Sequence, residues 1–243
     1  MKEIFGIIFL LSICIVGIAQ ENHENKSFGN FDNDTGFWVL TDNKLQIYKY
    51  DFDNYENYDW QILGADLNLP NEHESVLSFM GNIGVLINNK IQLYRYDICD
   101  DNWKNFRDID INLPTGWEFA FNVTSFFIGV VINNNVQLYA YTDDSIRIAP
   151  GFDLNLPAGW ESVFYVPFDH IGVVVDNKVR FYKFENTRWQ LVPDIDLNLP
   201  NSYKSVFYAG GNGSNIGVVT DNKIQFYNLD NNSWEIISEI FLN

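Results

Sequence analysis

The chain is poor in cysteine, and this limits how it can be held together. It has 2 cysteines in 243 residues. Cys14 lies in an apolar N-terminal segment, so the rest of the chain keeps only Cys99, and one cysteine cannot form an internal disulfide. The fold must therefore rest on an apolar core, which a chain of roughly 220 residues can build without covalent staples.

Basic residues are also scarce. The chain has 15 Lys and Arg against 32 Asp and Glu, which gives a net charge of −17 at pH 7. A surface of this kind repels phosphate backbones and anionic lipid headgroups. We therefore expect neither nucleic acid nor a bare membrane as a partner. The acidic residues are spread over the whole chain, which is typical of a solvated surface.

No catalytic signature is present. The chain lacks a Gly-x-Ser-x-Gly elbow, a His-Glu-x-x-His motif and a glycine-rich phosphate loop. Its three histidines, His23, His73 and His170, occupy positions that we interpret as unrelated. The sequence therefore predicts a protein that is not an enzyme. Because Asp and Glu are abundant, a polysaccharide hydrolase with a carboxylate pair stays the alternative.

The N-terminus has the pattern of an export signal. Lys2 is followed by an apolar run over residues 4–19, in which Gly17 and Ala19 precede the polar Gln20. This pattern predicts a signal peptide over residues 1–19 and a leader over residues 20–35. The alternative is a signal anchor, for which the run is short. We expect a protein that is secreted or at the cell surface, or periplasmic in a Gram-negative bacterium, with no membrane insertion after cleavage.

One segment of the chain recurs five times. Residues 216–227 have altered copies that begin at Ile171, Ile128, Ile83 and Phe37, about 45 residues apart. A period of this length is typical of stacked arrays and of propeller blades.

Each repeat contains the pattern of four strands. In the fourth copy, the apolar runs 162–166 and 171–175 predict two buried strands. Asp176-Asn177 then predicts a tight turn with positive φ. Residues 178–184 alternate between polar and apolar, and residues 189–192 predict a short fourth strand.

These patterns predict an all-β fold, a five-bladed β-propeller of four-stranded antiparallel blades over residues 36–243. A parallel β-helix is the structural alternative, although its coils are shorter. Only residues 28–31 could supply the inner strand of the first blade, and without them that blade would be incomplete. Each unit closes on a motif, which we align as Leu67-Asn68-Leu69-Pro70, Ile111-Asn112-Leu113-Pro114, Leu154-Asn155-Leu156-Pro157 and Leu197-Asn198-Leu199-Pro200.

Tryptophans at equivalent repeat positions are the candidate ligand-binding residues. They begin the fourth strand in four copies, as Trp60, Trp103, Trp189 and Trp234, whereas the third copy has Ser145-Ile146-Arg147. A second set, Trp117 and Trp160, follows Pro-x-Gly, with Tyr203 at the matching place in another copy. Such rings could stack on sugars, or they could fill the space between neighbouring blades as wedges. The second is the more common role of a buried tryptophan.

Paired aspartates near the closing motif are candidate metal ligands. They are Asp108 and Asp110 in one copy and Asp194 and Asp196 in another. Carboxylate oxygens are the ligands that calcium prefers, so calcium is the one ion that the sequence suggests, and no other cofactor is expected. Aspartates that cap turns through their own side chains are the alternative.

The repeat resembles two groups of propeller proteins. Glu161-Ser162-Val163-Phe164, Phe181-Tyr182-Lys183-Phe184 and Trp189 resemble the hemopexin-type blade, although five units stand in place of four and the terminal cysteine pair is missing. The series Trp160, Ile171-Gly172-Val173 and Trp189 is similar to the tectonin and tachylectin-like lectin propellers. Both resemblances span residues 37–243, and the second implies sugar binding.

Together these observations predict a secreted, non-enzymatic binding protein. Its expected partner is an extracellular glycan or protein, recognised by loops or by pockets that repeat between blades.

Overall fold

The computed structural model describes residues 28–31, 36–41, 43–50, 60–62, 64–79, 82–97, 99–124, 126–142, 145–166, 170–209, 215–221 and 223–241. Over these residues the protein is all-β and contains no helix, which confirms the all-β part of the predicted fold. It follows that this part of the chain has no helix that could cross a membrane. The predicted signal peptide, residues 1–19, lies outside the described residues.

The described residues form 22 strands. They are β1 (Phe28–Phe31), β2 (Gly36–Thr41), β3 (Lys44–Tyr50), β4 (Trp60–Ile62), β5 (Leu67–Asn68), β6 (Ser75–Phe79), β7 (Asn82–Ile87), β8 (Lys90–Asp97), β9 (Asn102–Ile111), β10 (Trp117–Thr124), β11 (Phe127–Ile132), β12 (Asn135–Thr142), β13 (Ser145–Asn155), β14 (Trp160–Val166), β15 (His170–Val175), β16 (Lys178–Glu185), β17 (Arg188–Leu191), β18 (Leu197–Asn198), β19 (Ser205–Tyr208), β20 (Ile216–Val219), β21 (Lys223–Asp230) and β22 (Ser233–Phe241).

Consecutive strands pair antiparallel in units of four. In chain order these units are β1–β4, β6–β9, β10–β13, β14–β17 and β19–β22, and we number them 1 to 5. The short strands β5 and β18 extend the fourth-strand side of units 1 and 4 by pairing with β3 and β16. This antiparallel pairing excludes the parallel β-helix. Residues 28–31 do form a strand, which pairs with β2 as the first strand of unit 1.

The units contact one another in a cycle. The first strand of each unit lies against the first strand of the next, from β1 through β6, β10 and β14 to β19, and β19 in turn contacts β1. An apolar cluster fills each of the five junctions between neighbouring units. At the junction between units 5 and 1, Tyr48 of unit 1 packs against the cluster that contains Phe207 and Phe226. We name each junction by the two units that form it.

The second strands are apolar along their whole length because both of their faces are covered. In β7 and β15, Ile83, Val85, Ile171 and Val173 are fully buried. Alternate residues of one strand enter the clusters of two different junctions, as Ile83 does at junction 1–2 and Leu86 at junction 2–3. A continuous apolar run is the pattern that such a strand requires.

The turns between second and third strands have the backbone that the sequence predicts. Both residues of Asp176-Asn177 have positive φ, at 53° and 57°. The equivalent pairs Asn88-Asn89 and Asn133-Asn134 behave alike. Asparagine and aspartate tolerate this region better than most residues because their short polar side chains bond locally, so they give tight two-residue hairpins.

A glycine faces an aromatic ring in three of the units. Phe121, Phe164 and Phe207 of the first strands pair with Gly129, Gly172 and Gly217 of the second strands. A Cβ on Gly217 would lie 2.4 Å from Cζ of Phe207, so the ring occupies the space that any larger residue would need.

In unit 1 the glycine and the large residue have exchanged strands. Its glycine is on the first strand, where Gly29 pairs with the buried Trp38 of the second strand. A large residue therefore pairs with a glycine across the first two strands in all four of these units. Unit 2 uses a milder version, in which Leu77 faces Gly84.

In unit 2 the structure shifts the closing motif by two residues relative to its alignment in the sequence. The amide of Ile111 donates to the carbonyl of Asn89 at 2.9 Å, as Leu156 does to Asn134 in unit 3. The structural equivalent of Leu156 is therefore Ile111, and the segment Asn112-Leu113-Pro114 is a longer connection. A shift of two residues leaves the same face of a strand buried, so apolar pattern alone could not reveal it.

Candidate functional site: the junctions between units

Tryptophans of the fourth strands bind backbone carbonyls across the junctions. The indole N–H of Trp103 donates to the carbonyl of Ala65 at 2.8 Å. Trp189 donates in the same way to Phe152 at 2.9 Å, and Trp234 to Ile195 at 2.7 Å. Each acceptor immediately precedes the aspartate of the preceding unit's closing segment. These three predicted site residues therefore occupy equivalent places in three different junctions.

The tryptophans differ in exposure. Trp103 is 8% exposed, and its ring packs against Tyr96 with centroids 5.4 Å apart. Trp189 and Trp234 are half-buried, and Trp234 stacks on Phe181 at 5.3 Å. All three rings therefore fill space between units, and two of them keep an exposed part. Trp60 begins β4, but its side chain lies outside the described residues.

At junction 2–3 the fourth strand carries no tryptophan, and there the backbones of the two units pair directly. Ile146 occupies the tryptophan position, and β13 pairs in parallel with β9 through Ser145 with Asp110 and Ile146 with Ile111. This pairing joins units 2 and 3 into one eight-stranded sheet. The smaller side chain removes the spacer, which explains why the strands can hydrogen-bond at this junction.

A polar group recurs beside each tryptophan position. Each third strand carries a glutamine or arginine and a tyrosine two residues later, and a carboxylate follows 14 to 20 residues further along the chain. In units 1, 2 and 5 a hydrogen bond or the strand register places this carboxylate across from the glutamine. We call this set the junction triad. Its five members are Gln46–Tyr48–Asp66, Gln92–Tyr94–Asp108, Gln137–Tyr139–Asp153, Arg180–Tyr182–Asp196 and Gln225–Tyr227–Glu239.

Hydrogen bonds along and between strands hold the triads of units 1, 2 and 5. The hydroxyl of Tyr94 donates to Oε1 of Gln92 at 2.9 Å, and Tyr227 donates to Gln225 at 3.3 Å. The amide of Gln225 donates to Glu239 at 2.8 Å. The tyrosines pack into the clusters shared with the preceding unit, so each triad faces one junction.

Burial raises the pKa of the triad tyrosines. It is the largest influence on Tyr48, Tyr94, Tyr139, Tyr182 and Tyr227, and it raises the pKa of each. Neighbouring carboxylates raise the pKa of four of them further, as Asp66 does for Tyr48. By contrast, the hydrogen bond from Lys223 lowers the pKa of Glu239.

An alkaline titration should reveal these tyrosines. Their pKa is higher in the folded chain than the value of about 10 in an unfolded one. The stability they contribute is therefore complete below pH of about 10 and is lost as the pH rises through the folded pKa. Phenolate absorbance should show one group of tyrosines ionising late, together with loss of the β-sheet circular dichroism signal. If all 13 tyrosines of the folded protein ionised together near the free value, this prediction would fail.

The predicted metal ligands do not form a compact cluster. Asp108 and Asp110 lie two residues apart on β9, where Asp108 accepts from Asn105 at 3.2 Å and Asp110 faces Lys90 at 3.7 Å. In unit 4, Asp194 lies in an exposed turn with φ of 66° and Asp196 follows two residues later. Among the described residues, no three His, Cys, Asp or Glu side chains lie together as metal ligands would. Calcium at these pairs stays a prediction from the sequence.

The structure also changes which aspartate is equivalent. Because Ile111 is equivalent to Leu156, Asp108 is the counterpart of Asp153. The alignment of the closing motifs matches Ile111 with Leu154 and therefore implies Asp110. Asp108 is therefore the triad carboxylate of unit 2, across from Gln92.

The second set of aromatic residues shares one turn, which includes a histidine that the sequence analysis treated as unrelated. The amides of His73, Trp117, Trp160 and Tyr203 each donate to the carbonyl of the proline three residues before. His73 is buried, and its Nδ1 lies 2.8 Å from the Pro70 carbonyl. The constant spacing after proline was the signal that could have identified it. Trp160 donates to Asn134, and Tyr203 donates to Glu161 of the preceding unit.

The junction triads were also missed by the sequence analysis. Their signal is Gln-x-Tyr on the third strand of four units and Arg-x-Tyr in unit 4. Only the cross-strand register brings the carboxylate to this pair, because it lies 14 to 20 residues further along the chain.

Comparison with known proteins gives distant structural similarity only. No protein-family model matches the chain, and no curated protein sequence is similar to it. A functionally unknown protein from Desulfotomaculum acetoxidans is 11% identical, with a TM-score of 0.44 over 91% of this chain and 71% of that one. A form of Hsv2 from Kluyveromyces lactis with loop 6CD replaced by a Gly-Ser linker is 10% identical, with a TM-score of 0.47 over 90% of this chain and 100% of that one.

A protein from Lactobacillus plantarum is 9% identical, with a TM-score of 0.41 over 86% of this chain and 69% of that one. Similarity at this level gives no basis for transferring a ligand or an activity.

The chemistry of a junction is that of hydrogen bonding and stacking. Amide, phenol and carboxylate groups can exchange hydrogen bonds with hydroxyl groups. A partly exposed indole beside them offers an apolar face. This combination suits a ligand that is apolar on its faces and hydroxylated at its edges.

Proposed function

We propose that the five units are the blades of a closed β-propeller. The cyclic contact of the first strands from β1 to β19 and back to β1 supports this arrangement. So does the apolar cluster in each junction, including the one that Tyr48 completes between units 5 and 1. Closure removes the exposed ends that an open array of blades would leave.

The function that this arrangement supports best is non-enzymatic binding of extracellular glycans at repeated subsites. The single observation that carries the proposal is the recurrence of the junction triad residues in five units, together with a tryptophan that bonds across the junction in three of them. Hydroxyl-rich sugars need such hydrogen-bonding partners, and their apolar faces stack on indoles. Equivalent subsites around a ring bind branched or repeating glycans with avidity.

Export of the chain belongs to the same proposal. The apolar run over residues 4–19, followed by polar residues, supports secretion or surface display. Extracellular glycans are the ligands that such a location would offer.

A glycan array with the purified full-length chain tests the proposal first, and calorimetry with a bound oligosaccharide then gives the number of sites. We expect one site for each junction whose tryptophan is partly exposed. The variant Gln225→Leu should remove the site at junction 4–5 and lower the stoichiometry by one, because Tyr227 and Glu239 lose the amide that bonds to both.

The matched control is the same substitution at the equivalent position of unit 3. Gln137→Leu should leave the stoichiometry unchanged, since junction 2–3 has Ile146 in place of a tryptophan. No binding on the array would overturn the proposal. Release of reducing ends from a polysaccharide would replace it with a hydrolase.

A further inference from the structure

Unit 4 departs from the other four units in the chemistry of its triad. Where units 1, 2, 3 and 5 have a glutamine amide, unit 4 has the guanidinium of Arg180. The backbone register is the same, because Val179 pairs with Leu197 as Leu45 pairs with Leu67. The guanidinium therefore extends from the place that the amides occupy elsewhere.

Arg180 remains partly accessible. Its side chain is 32% exposed, and its ion pair is with Asp176, a turn residue whose side chain is 75% exposed, at 3.4 Å. An ion pair between two such exposed groups contributes little to the stability of the fold, and ions in the solvent compete with it. The guanidinium can therefore exchange this partner for an anionic group at small cost.

The surroundings of Arg180 are those of a ligand subsite. Tyr182 and Asp196 belong to the same triad, and Arg180 opposes the effect of Asp196 on the pKa of Tyr182. The half-buried Trp189 lies at the same junction, with Phe152 as its carbonyl acceptor. Arg180 lies on the same face of β16 as Tyr182, which packs against the cluster of junction 3–4 together with Trp189. The other four triads carry an amide at the position of this cation.

We propose that junction 3–4 is an anion-accepting subsite, which binds a sugar bearing a carboxylate or sulfate group, whereas the glutamine junctions take neutral sugars. This inference rests on the proposed glycan-binding function. A guanidinium binds either oxyanion through paired N–H donors, which a glutamine amide cannot match in charge. One guanidinium among four amides at the equivalent position would select a glycan with an acidic residue at one place.

The test is an array that presents each neutral oligosaccharide beside its terminal uronic acid form and its sulfated form. The wild-type full chain should prefer an acidic form about tenfold, the effect of one charge-assisted hydrogen bond, and the preference should fall as salt is added. Arg180→Gln should abolish this preference and add one neutral site, because it gives unit 4 the triad of its neighbours. The reciprocal variant Gln225→Arg should create a second acid-preferring site.

Arg188→Gln is the control for charge alone. It removes one exposed positive charge from β17 of the same unit, outside the triad, and should leave the preference intact. Sulfate and carboxylate series separate the two sources of negative charge, and either one supports the inference.

Two results would overturn the anion subsite. If Arg180→Gln binds neutral and acidic forms in the wild-type ratio, the inference falls and glycan binding stands. If the wild-type chain binds no sugar of any series, both the glycan function and this subsite fall.

Discussion

Replacing Trp103 by alanine should lower the free energy of unfolding by about 3–5 kcal/mol, the cost expected for removing a large buried aromatic side chain. The ring is 8% exposed, fills the cluster between units 1 and 2 and donates to the carbonyl of Ala65. Its removal leaves a cavity and an acceptor that loses its donor. Chemical denaturation followed by tryptophan fluorescence and circular dichroism would measure the change.

An exposed aromatic residue on the same strand provides the control. Phe106 of β9 is 45% exposed, so Phe106→Ala should cost only about 0.5 kcal/mol. Trp189 is half-buried, so Trp189→Ala should lower the free energy of unfolding by an amount between these two values. If Trp103→Ala kept its stability and lost glycan binding, the ring would be a stacking platform, and its assignment as a wedge would be wrong.

Replacing Phe207 by alanine should cost a similar amount, about 3–5 kcal/mol, because the ring is 2% exposed and lies over Gly217. Gly217→Ala should cost about 1–3 kcal/mol in the wild-type chain, since its Cβ would collide with the same ring. The two changes should not add. In the double variant the new methyl enters space that the ring has left, so the second substitution should cost less than it does alone.

A double-mutant cycle measured by denaturant unfolding gives the coupling between these positions. Gly159→Ala is an informative comparison, because a Cβ there meets no atom within 4 Å while φ is 77°. Any cost at Gly159 would come from the backbone alone and should not depend on Phe207. Additive effects of Phe207→Ala and Gly217→Ala would contradict the shared-volume explanation.

Much of the secondary structure could be predicted from local pattern. The apolar runs 162–166 and 171–175 are recovered in β14 and β15. In β15 the run is continuous because both faces of the strand are covered, whereas Ser162 and Tyr165 of β14 stay partly exposed. The Asp176-Asn177 turn was predictable because its φ values suit those two residue types. In each case the determining interactions lie within a few residues.

The pairing of Gly29 with Trp38 in unit 1 could not be predicted from local sequence pattern. Phe28-Gly29-Asn30-Phe31 looks unlike the other first strands because the large residue has moved to Trp38 on the partner strand. The sequence shows a missing aromatic residue and a missing glycine at two distant places. Only the pairing of β1 with β2 shows that each compensates for the other.

The candidate site, too, could be predicted only in part from the sequence. Trp103, Trp189 and Trp234 were predicted as equivalent because a repeat places identical residues at identical positions. Their use as donors across the junctions could not be predicted, since the acceptors are 37 to 39 residues away in the preceding unit.

The amino-acid sequence by itself determined that this protein is all-β, that it is built from a unit of about 45 residues repeated five times, and that its turns are tight. These properties follow from residue type and short-range periodicity. The tertiary structure decided which residues meet at each junction, that Asp108 and not Asp110 completes a triad, and that units 2 and 3 share one sheet. These depend on strand register and on contacts between units, where a shift of two residues preserves every local pattern and changes every partner.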